Sequence, residues 1–405
     1  MSRSGSSRTA GAEPLWTRDF VLAAVTTLFM AMVFYLLMTT LALYAVERFA
    51  ASDSAAGLAA SMFVVGATAG RLFAGNLVEL VGRRRILLVC LGVFVVSSLS
   101  YFLATTLTLL LVVRFVHGVA FGIGTTAVVT IAQSIIPPLR RGEGTGFFGM
   151  STTLGTALGP FLGLLIVDRS GYTALFAASV VASAAALAVA LFLRVPEPVL
   201  AGEHRAALRR FRPADLLDRR VLPLAAFMLV MGAGFSGVLT FLSTYTEQLG
   251  LPAAASLFFL VYAGVLFVSR FVVGRLQDVR GDNLVMYPAI VSFVLGLVVL
   301  AVATGVAAIV LAGALMGLGF GTLMSAGQAI AVARVAPHRM GLAVSTYFFM
   351  VDIGTGLGPV ALGWLVQGTS FRTMYLAMAG VVLLAAGLYH LVHGRSRRGQ
   401  RPRTA

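Results

Sequence analysis

Residues 75–85 read GNLVELVGRRR, and residues 274–284 read GRLQDVRGDNL. The stretches lie 199 positions apart and pair Gly75 with Gly274, Leu77 with Leu276 and Gly82 with Gly281, while Glu79 meets Asp278, acid for acid. The same offset continues outward without a gap. Arg71 falls on Arg270, Gly118 and Gly122 on Gly317 and Gly321, and Phe121 on Phe320. Pro138, Arg140 and Gly142 fall on Pro337, Arg339 and Gly341, and Gly155, Gly159 and Pro160 on Gly354, Gly358 and Pro359. A register this long makes the chain a duplicated unit.

What is duplicated follows from composition. Of 405 residues, 59% are hydrophobic and only 11% are charged, whereas a soluble domain is about a quarter charged. That balance excludes an ordinary soluble enzyme, a disordered chain and a disulfide scaffold. Twelve apolar runs follow one another near 20–45, 55–76, 86–105, 107–133, 144–167, 172–193, 221–246, 253–276, 284–304, 306–333, 341–366 and 371–391. About 20 apolar residues span a bilayer, and an open sheet cannot satisfy its backbone in lipid, so all are expected as helices. Six runs precede the hydrophilic segment 194–220 and six follow it. An even number per copy gives both copies the same orientation. The expected fold is therefore an all-α polytopic membrane protein, with twelve transmembrane helices in two parallel six-helix repeats. Its parts are a tail 1–19, a bundle 20–193, a linker 194–220, a bundle 221–391 and a basic tail 392–405. Parallel halves can rock around a site at the membrane midplane.

The formal charge is +15, with 30 basic and 15 acidic residues, and every basic residue is Arg. With the N-terminus inside, 24 of the 30 fall in cytoplasmic segments, among them Arg83, Arg84, Arg85, Arg140 and Arg141. Arg48, Arg169 and Arg372 fall outside, and Arg71, Arg114 and Arg270 fall within spans. This asymmetry is the positive-inside rule. Both termini are therefore expected in the cytoplasm, and the topology with the Arg-rich composition leads to the expectation of a bacterial cytoplasmic membrane. Anionic lipid accounts for the basic charge, so nucleic acid is not expected as a partner. HRAALRRFRPADLLDRR (204–220) reads as a surface helix with its basic face on headgroups. The single cysteine, Cys90, makes no intrachain disulfide, and no metal-ligand spacing occurs. No metal and no cofactor are expected.

These residues resemble the major facilitator superfamily, from about residue 20 to 391. Three motifs carry the resemblance. GNLVELVGRRR is similar to the family's G-x-L-x-D-R-x-G-R-R loop: Gly75, Leu77, Gly82, Arg83 and Arg84 match, Glu79 replaces the usual Asp, and Leu80 replaces the usual Arg. The resemblance implies a gating latch built from Gly75, Glu79, Gly82, Arg83, Arg84 and, in the second copy, Asp278. It also implies that the acid faces the N-terminus of helix 11, a positive dipole end. Because Glu79 is a methylene longer than Asp, a looser latch is expected. LLLVVRFVHG (109–118) is similar to the L-x-x-x-R-x-x-Q-G pattern linked to proton coupling, with Arg114 matching and His117 in place of Gln. His titrates near neutral pH, although a buried His also serves as a structural hydrogen-bonder. GTALGPFLG (155–163) resembles the antiporter motif through Gly155, Gly159, Pro160 and Gly163. That motif is associated with exporters. Its copy in helix 11, GTGLGPVALG, suggests that part of its duty is architectural.

Asp352 is the single acid well inside a span, about 16 Å along its helix from Gly341 at the helical rise. Its repeat-mate is Thr153. An intramembrane carboxylate is a functional hypothesis by default, and Asp352 is expected to carry the proton, tuned by Arg114 or His117. Arg71 and Arg270 are expected to snorkel toward headgroups, or to join a latch with acids such as Glu143. Phe34, Tyr35, Tyr245, Tyr262 and Tyr347 are candidates to line an apolar cavity.

The resulting expectation is a secondary transporter of the drug:proton antiporter type, a multidrug-efflux protein that works as a monomer and exports a small organic compound. A proton-coupled importer of a sugar or other metabolite is the alternative. A receptor is disfavoured because no soluble domain exceeds the central loop. An ATP-driven pump is disfavoured because no G-x-x-x-x-G-K-[ST] loop is present. No constellation for bond chemistry marks an enzyme.

Overall fold

The structure is a computed structural model that describes residues 13–195 and 216–395. Most of the N-terminal tail, most of the 204–220 segment and most of the basic tail lie outside the described residues.

Helices account for almost everything described. They are α1 (Arg18–Phe49), α2 (Asp53–Val81), α3 (Arg83–Ser100) and α4 (Leu107–Ile135). Arg141–Leu191 follows as 51 residues of nearly continuous helix, about 76 Å at the helical rise and far longer than a bilayer core. Gly171, at φ 75 and ψ 179, breaks it. The result is two crossings, α5 (141–170) and α6 (172–191). The second half contains α7 (Leu222–Gln248), α8 (Ala253–Arg280), α9 (Asn283–Ala301), α10 (Val306–Ala333), α11 (Met340–Gly368) and α12 (Phe371–Tyr389). Gly319 interrupts α10, where it meets the Phe293 backbone of α9. The twelve helices stand in the two sets of six that the repeat requires.

Several helices run past the apolar runs that announce them. The second run ends near residue 76 but α2 continues to Val81, and the first ends near 45 but α1 continues to Phe49. Hydropathy registers the hydrocarbon crossing, while backbone hydrogen bonding carries each helix on into the headgroup zone. Side-chain caps start three of them: Thr17 accepts from Phe20 N at 3.2 Å, Thr106 from Leu109 N at 3.2 Å and Ser370 from Thr373 N at 3.2 Å.

Packing obeys the repeat. In the first half α1 lies on α5, α2 on α4 and α3 on α6; in the second α7 lies on α11, α8 on α10 and α9 on α12. Between halves, α2 meets α11 and α5 meets α8. The outer surface is apolar: Trp364 is 73% exposed and Leu384 is 79% exposed, which fits lipid and not water. The bundle has a basic end, bearing the α2–α3 and α8–α9 turns, and an opposite end. At the basic end the core of the first half continues into Val332, Met340 and Val344 of the second. Toward the opposite end the first half keeps a separate core around Phe63, Phe94 and Tyr101.

Candidate functional site

At the basic end the two repeats reach into each other. Gly82 sits at φ 105 and Gly281 at φ 93, a region that only glycine enters without strain. Each allows the next helix to begin at once. The acid one turn earlier then caps a helix of the other half. Glu79 Oε1 accepts from Leu342 N at 3.2 Å, in the first turn of α11. Asp278 accepts from Gly142 N and from Glu143 N, both at 2.8 Å, in the first turn of α5. Both carboxylates are buried. The expected facing of Glu79 onto helix 11 is thus present, and its repeat-mate does the same with one more bond. Close approach at glycine completes the contact. A Cβ on Gly75 would meet Leu342 Cα at 2.7 Å, and one on Gly274 would meet the Gly142 carbonyl oxygen at 2.6 Å.

Arg83 joins this contact by donating to the Pro337 carbonyl oxygen at 2.5 Å. Arg84 donates to the Leu191 carbonyl oxygen at 2.8 Å, within its own half. Their repeat-mates are Asp282 and Asn283, which face elsewhere. Asp282 pairs with His393 at 2.9 Å, and Asn283 donates to the Gly394 carbonyl oxygen at 2.7 Å. Glu143 pairs with Arg140 at 2.8 Å, not with Arg71 or Arg270.

Deeper in, a second level crosses the bundle. Gly82 to Arg71, Gly142 to Thr153, Gly281 to Arg270 and Gly341 to Asp352 are each eleven residues, about 16 Å along a helix. Arg71 on α2 and Asp352 on α11 form an ion pair there, joining the halves. Arg71 is 12% exposed, so the expected snorkelling to headgroups is corrected: a carboxylate at equal depth neutralises it. Thr68 donates to the same carboxylate at 3.5 Å, and Arg71 Nη2 donates to Thr125 Oγ1 at 3.4 Å. The guanidinium also lies 5.4 Å from the centroid of the Phe348 ring, and Ser345 Oγ donates to the Arg71 carbonyl oxygen. Among the described residues no hydrogen bond joins the halves between this level and the opposite end. The molecule is closed at its basic end.

Arg114 and His117 are not part of this level. Arg114 is fully buried, with Nε donating to Ala59 O at 3.0 Å and Nη2 to Ala60 O at 2.9 Å, and with the Phe63 ring 4.8 Å away. His117 Nδ1 shares a proton with Tyr101 Oη at 3.0 Å, and its ring is 4.1 Å from Phe94. Thr125, which touches Arg71, is eleven residues further along α4 than Arg114, again about 16 Å. The structure therefore does not bring Arg114 or His117 to Asp352.

Gly155, Gly159 and Gly163 form one stripe of α5 against α1. Added Cβ atoms would meet Ala31 Cβ at 2.6 Å, Tyr35 Cβ at 2.6 Å and the Leu36 carbonyl oxygen at 2.8 Å. Pro160 lies within the same helix. The copies Gly354 and Gly358 serve α11 against α7 in the same way, meeting Leu229 and Ser236.

Two aromatic candidates leave the cavity list. Tyr245 is buried and donates to the Leu300 carbonyl oxygen at 3.1 Å, packed against Tyr375. Tyr347 is fully buried and donates to Met324 O at 2.8 Å. Both are core residues with satisfied hydroxyls. Phe34 is half-buried in a cluster with Phe63 and Phe121. Tyr35 and Tyr262, both half-buried, lie within electrostatic reach of each other across the halves, and Tyr35 also of Arg71 and Asp352.

Comparison with known proteins agrees with this architecture. The family model described as Major Facilitator Superfamily matches residues 23–309 and 268–405. A Shigella flexneri protein named "Uncharacterized MFS-type transporter YhhS" is 27% identical over 344 residues, 82% of this chain and 81% of the relative. Two solved structures share the fold. The human organic anion transporter MFSD10 superposes with a TM-score of 0.75 at 18% identity, covering 93% of this chain and 100% of that one. The proton:xylose symporter XylE gives a TM-score of 0.75 at 14% identity, covering 96% and 97%. The twelve described helices in two interlocked repeats, closed at one end over a charged midlevel, together with these matches, make the chain a multi-pass membrane transporter and no enzyme: it belongs to the major facilitator superfamily.

Proposed function

We propose that the protein exports a small organic compound in exchange for protons, with its basic end and both termini in the cytoplasm of a bacterium. The observation that carries this reading is the Arg71–Asp352 pair, which joins the halves at mid-depth. With Asp352 ionised, the pair holds α2 to α11. Protonation removes the negative charge and leaves Arg71 without a counter-ion. The halves then part more readily there, and the proton crosses with the carboxyl group as they rock. The caps at Glu79 and Asp278, with Arg83 beside them, close the basic end while the opposite end is open. In this reading Arg114 ties α2 to α4 and acts on the pair only through that packing. The arginine bias of the turns supports the orientation, and the glycine-proline stripe of α5 supports export.

The printed names of the structural neighbours differ in cargo, an organic anion in one case and xylose in the other. Import with protons therefore stands as the second reading. The test uses purified protein in liposomes loaded with a pH dye under an imposed proton gradient. Amphipathic compounds are added to the wild type and to Asp352→Asn. Expected is substrate-dependent proton movement opposite to the compound, lost in Asp352→Asn. Movement of proton and compound in one direction favours import. Antiport that survives the substitution removes Asp352 from the proton path.

A further inference from the structure

The midlevel is occupied differently in the two repeats. Arg71 has a carboxylate in Asp352 and a ring in Phe348. The repeat gives Arg270 the mates of those two residues, Thr153 and Gly149. Arg270 is 6% exposed, and among the described residues no carboxylate forms an ion pair with it. Its Nη1 donates to Ser325 Oγ, and its Nε is buried with no hydrogen-bond partner. The guanidinium lies over Gly149, so a Cβ there would meet Nη2 at 3.4 Å. Thr153 does not turn to it; its hydroxyl donates to the Gly149 carbonyl oxygen of its own helix at 3.2 Å. A buried guanidinium without a counter-charge is costly. At this site both the acid and the bulky ring of the first repeat are absent, and the guanidinium is left without the negative charge that its repeat-mate has.

We infer that Arg270 binds the anionic group of the transported compound, which takes the place that Asp352 holds in the other repeat. The inference rests on the transport reading above and names the substrate class: a small organic anion, with a carboxylate as the group that a guanidinium fork fits best. The surroundings describe the rest of the molecule. Tyr262, on the same helix and within electrostatic reach of Arg270, stacks on Phe235 at 5.3 Å, which stacks on Phe320 at 4.1 Å. Phe235 and Phe320 are core residues that back the half-buried Tyr262, whose ring, eight residues from Arg270 and away from the basic end, suits an apolar or aromatic body attached to the carboxylate. Two arginines at one level then face one fixed and one exchangeable carboxylate. Loading substrate and ionising Asp352 bring the level to the same charge balance in both repeats.

The test is equilibrium binding to the full-length protein in detergent, followed by thermal shift and tyrosine fluorescence, with benzoate, 2-naphthoate and octanoate as probes and benzamide and benzylamine as uncharged and cationic counterparts. Expected is binding of at least one carboxylate but of neither counterpart. Arg270→Gln should weaken it about tenfold or more, the size of one charged hydrogen-bonding group, and Arg270→Lys less. Thr153→Asp supplies an internal carboxylate and should block the probe while raising the melting temperature. If Thr153→Asp fails to fold, the Gln and Lys substitutions decide alone. Equal binding of benzamide, unchanged carboxylate binding in Arg270→Gln, or no binding by any of the three carboxylates would overturn the inference. The measurement needs no proton gradient, so it is separable from antiport. Carboxylate binding without proton flux keeps Arg270 and removes the antiport reading; flux driven by neutral or cationic compounds and untouched by Arg270→Gln does the reverse.

Discussion

The two levels of this molecule treat its internal symmetry in opposite ways. At the basic end the repeats agree: each acid, Glu79 or Asp278, caps the first turn of a helix in the other half, and each glycine, Gly75 or Gly274, lets the backbones touch. About 16 Å deeper they disagree: Arg71 meets Asp352 and Phe348, while Arg270 meets Gly149 and Ser325. Closing one end of a two-half bundle is a task both halves share, and the same geometry solves it twice. Handling charge in lipid is a task for particular side chains, and there the copies part. In the function proposed above, the difference also separates residues that hold the closed shape from those that respond to what is carried.

The largest effect should come from breaking the midlevel. Asp352→Asn leaves Arg71 as a buried, uncompensated cation and should cost about 3 kcal/mol or more. Arg71→Gln combined with Asp352→Asn should recover most of that stability, because two neutral amides replace two charges, while proton-coupled transport stays lost. A thermal melt of the four species gives the coupling energy directly. A double variant no more stable than the single one would break the pairing argument.

The next effect sharpens the other level. Asp278 accepts two backbone bonds at 2.8 Å and Glu79 one at 3.2 Å. Asp278→Ala should therefore destabilise the closed form by about 3 kcal/mol, and Glu79→Ala by about half as much, at roughly 1.5 kcal/mol per charged bond. The readout is thiol labelling of a cysteine placed at the basic end in a Cys90→Ser background, where opening speeds the reaction. Equal effects would mean that the caps work as equal halves after all. The smallest effect separates core from cavity. Tyr347→Phe and Tyr245→Phe each remove one satisfied hydrogen bond and should cost about 1 kcal/mol with no change in transport, whereas substitution of Tyr262 should alter affinity. A transport defect in Tyr347→Phe would return that residue to the pathway.

Much of this architecture is legible in the sequence, because a register of glycines, prolines and acids repeated at one offset is a direct record of geometry. The two-half architecture follows from it, while the facing of Glu79 onto helix 11 is what the family resemblance implies, and the depth of Asp352 comes from counting along its helix. The partner of Asp352 does not follow from hydropathy, which ends the second run near residue 76 and leaves Arg71 near a membrane surface. Counting instead from Gly82 gives Arg71 the depth of Asp352, and that count was the overlooked signal. The tyrosines were harder. On helices that are apolar all round, no polar face distinguishes cavity from core or lipid, so Tyr245 and Tyr347 read like Tyr262. His117 belongs to a box of Phe63, Phe94 and Tyr101 drawn from three helices, an assembly that no local pattern records.

The spacing between the two levels also sets the mechanics. If the halves turn as rigid bodies about the midlevel, the caps lie at the end of an arm of about 16 Å. Moving them apart by about 3 Å, enough to admit a water molecule, then takes a rotation of only about 10°. Such a turn stretches no helix and unwinds no turn. It separates three backbone N–H groups from two carboxylates and slides Gly75 and Gly274 off the backbones they touch. The stroke is short because the lever is long, and the hinge is the level where Arg71 meets Asp352, Ser345 and Phe348.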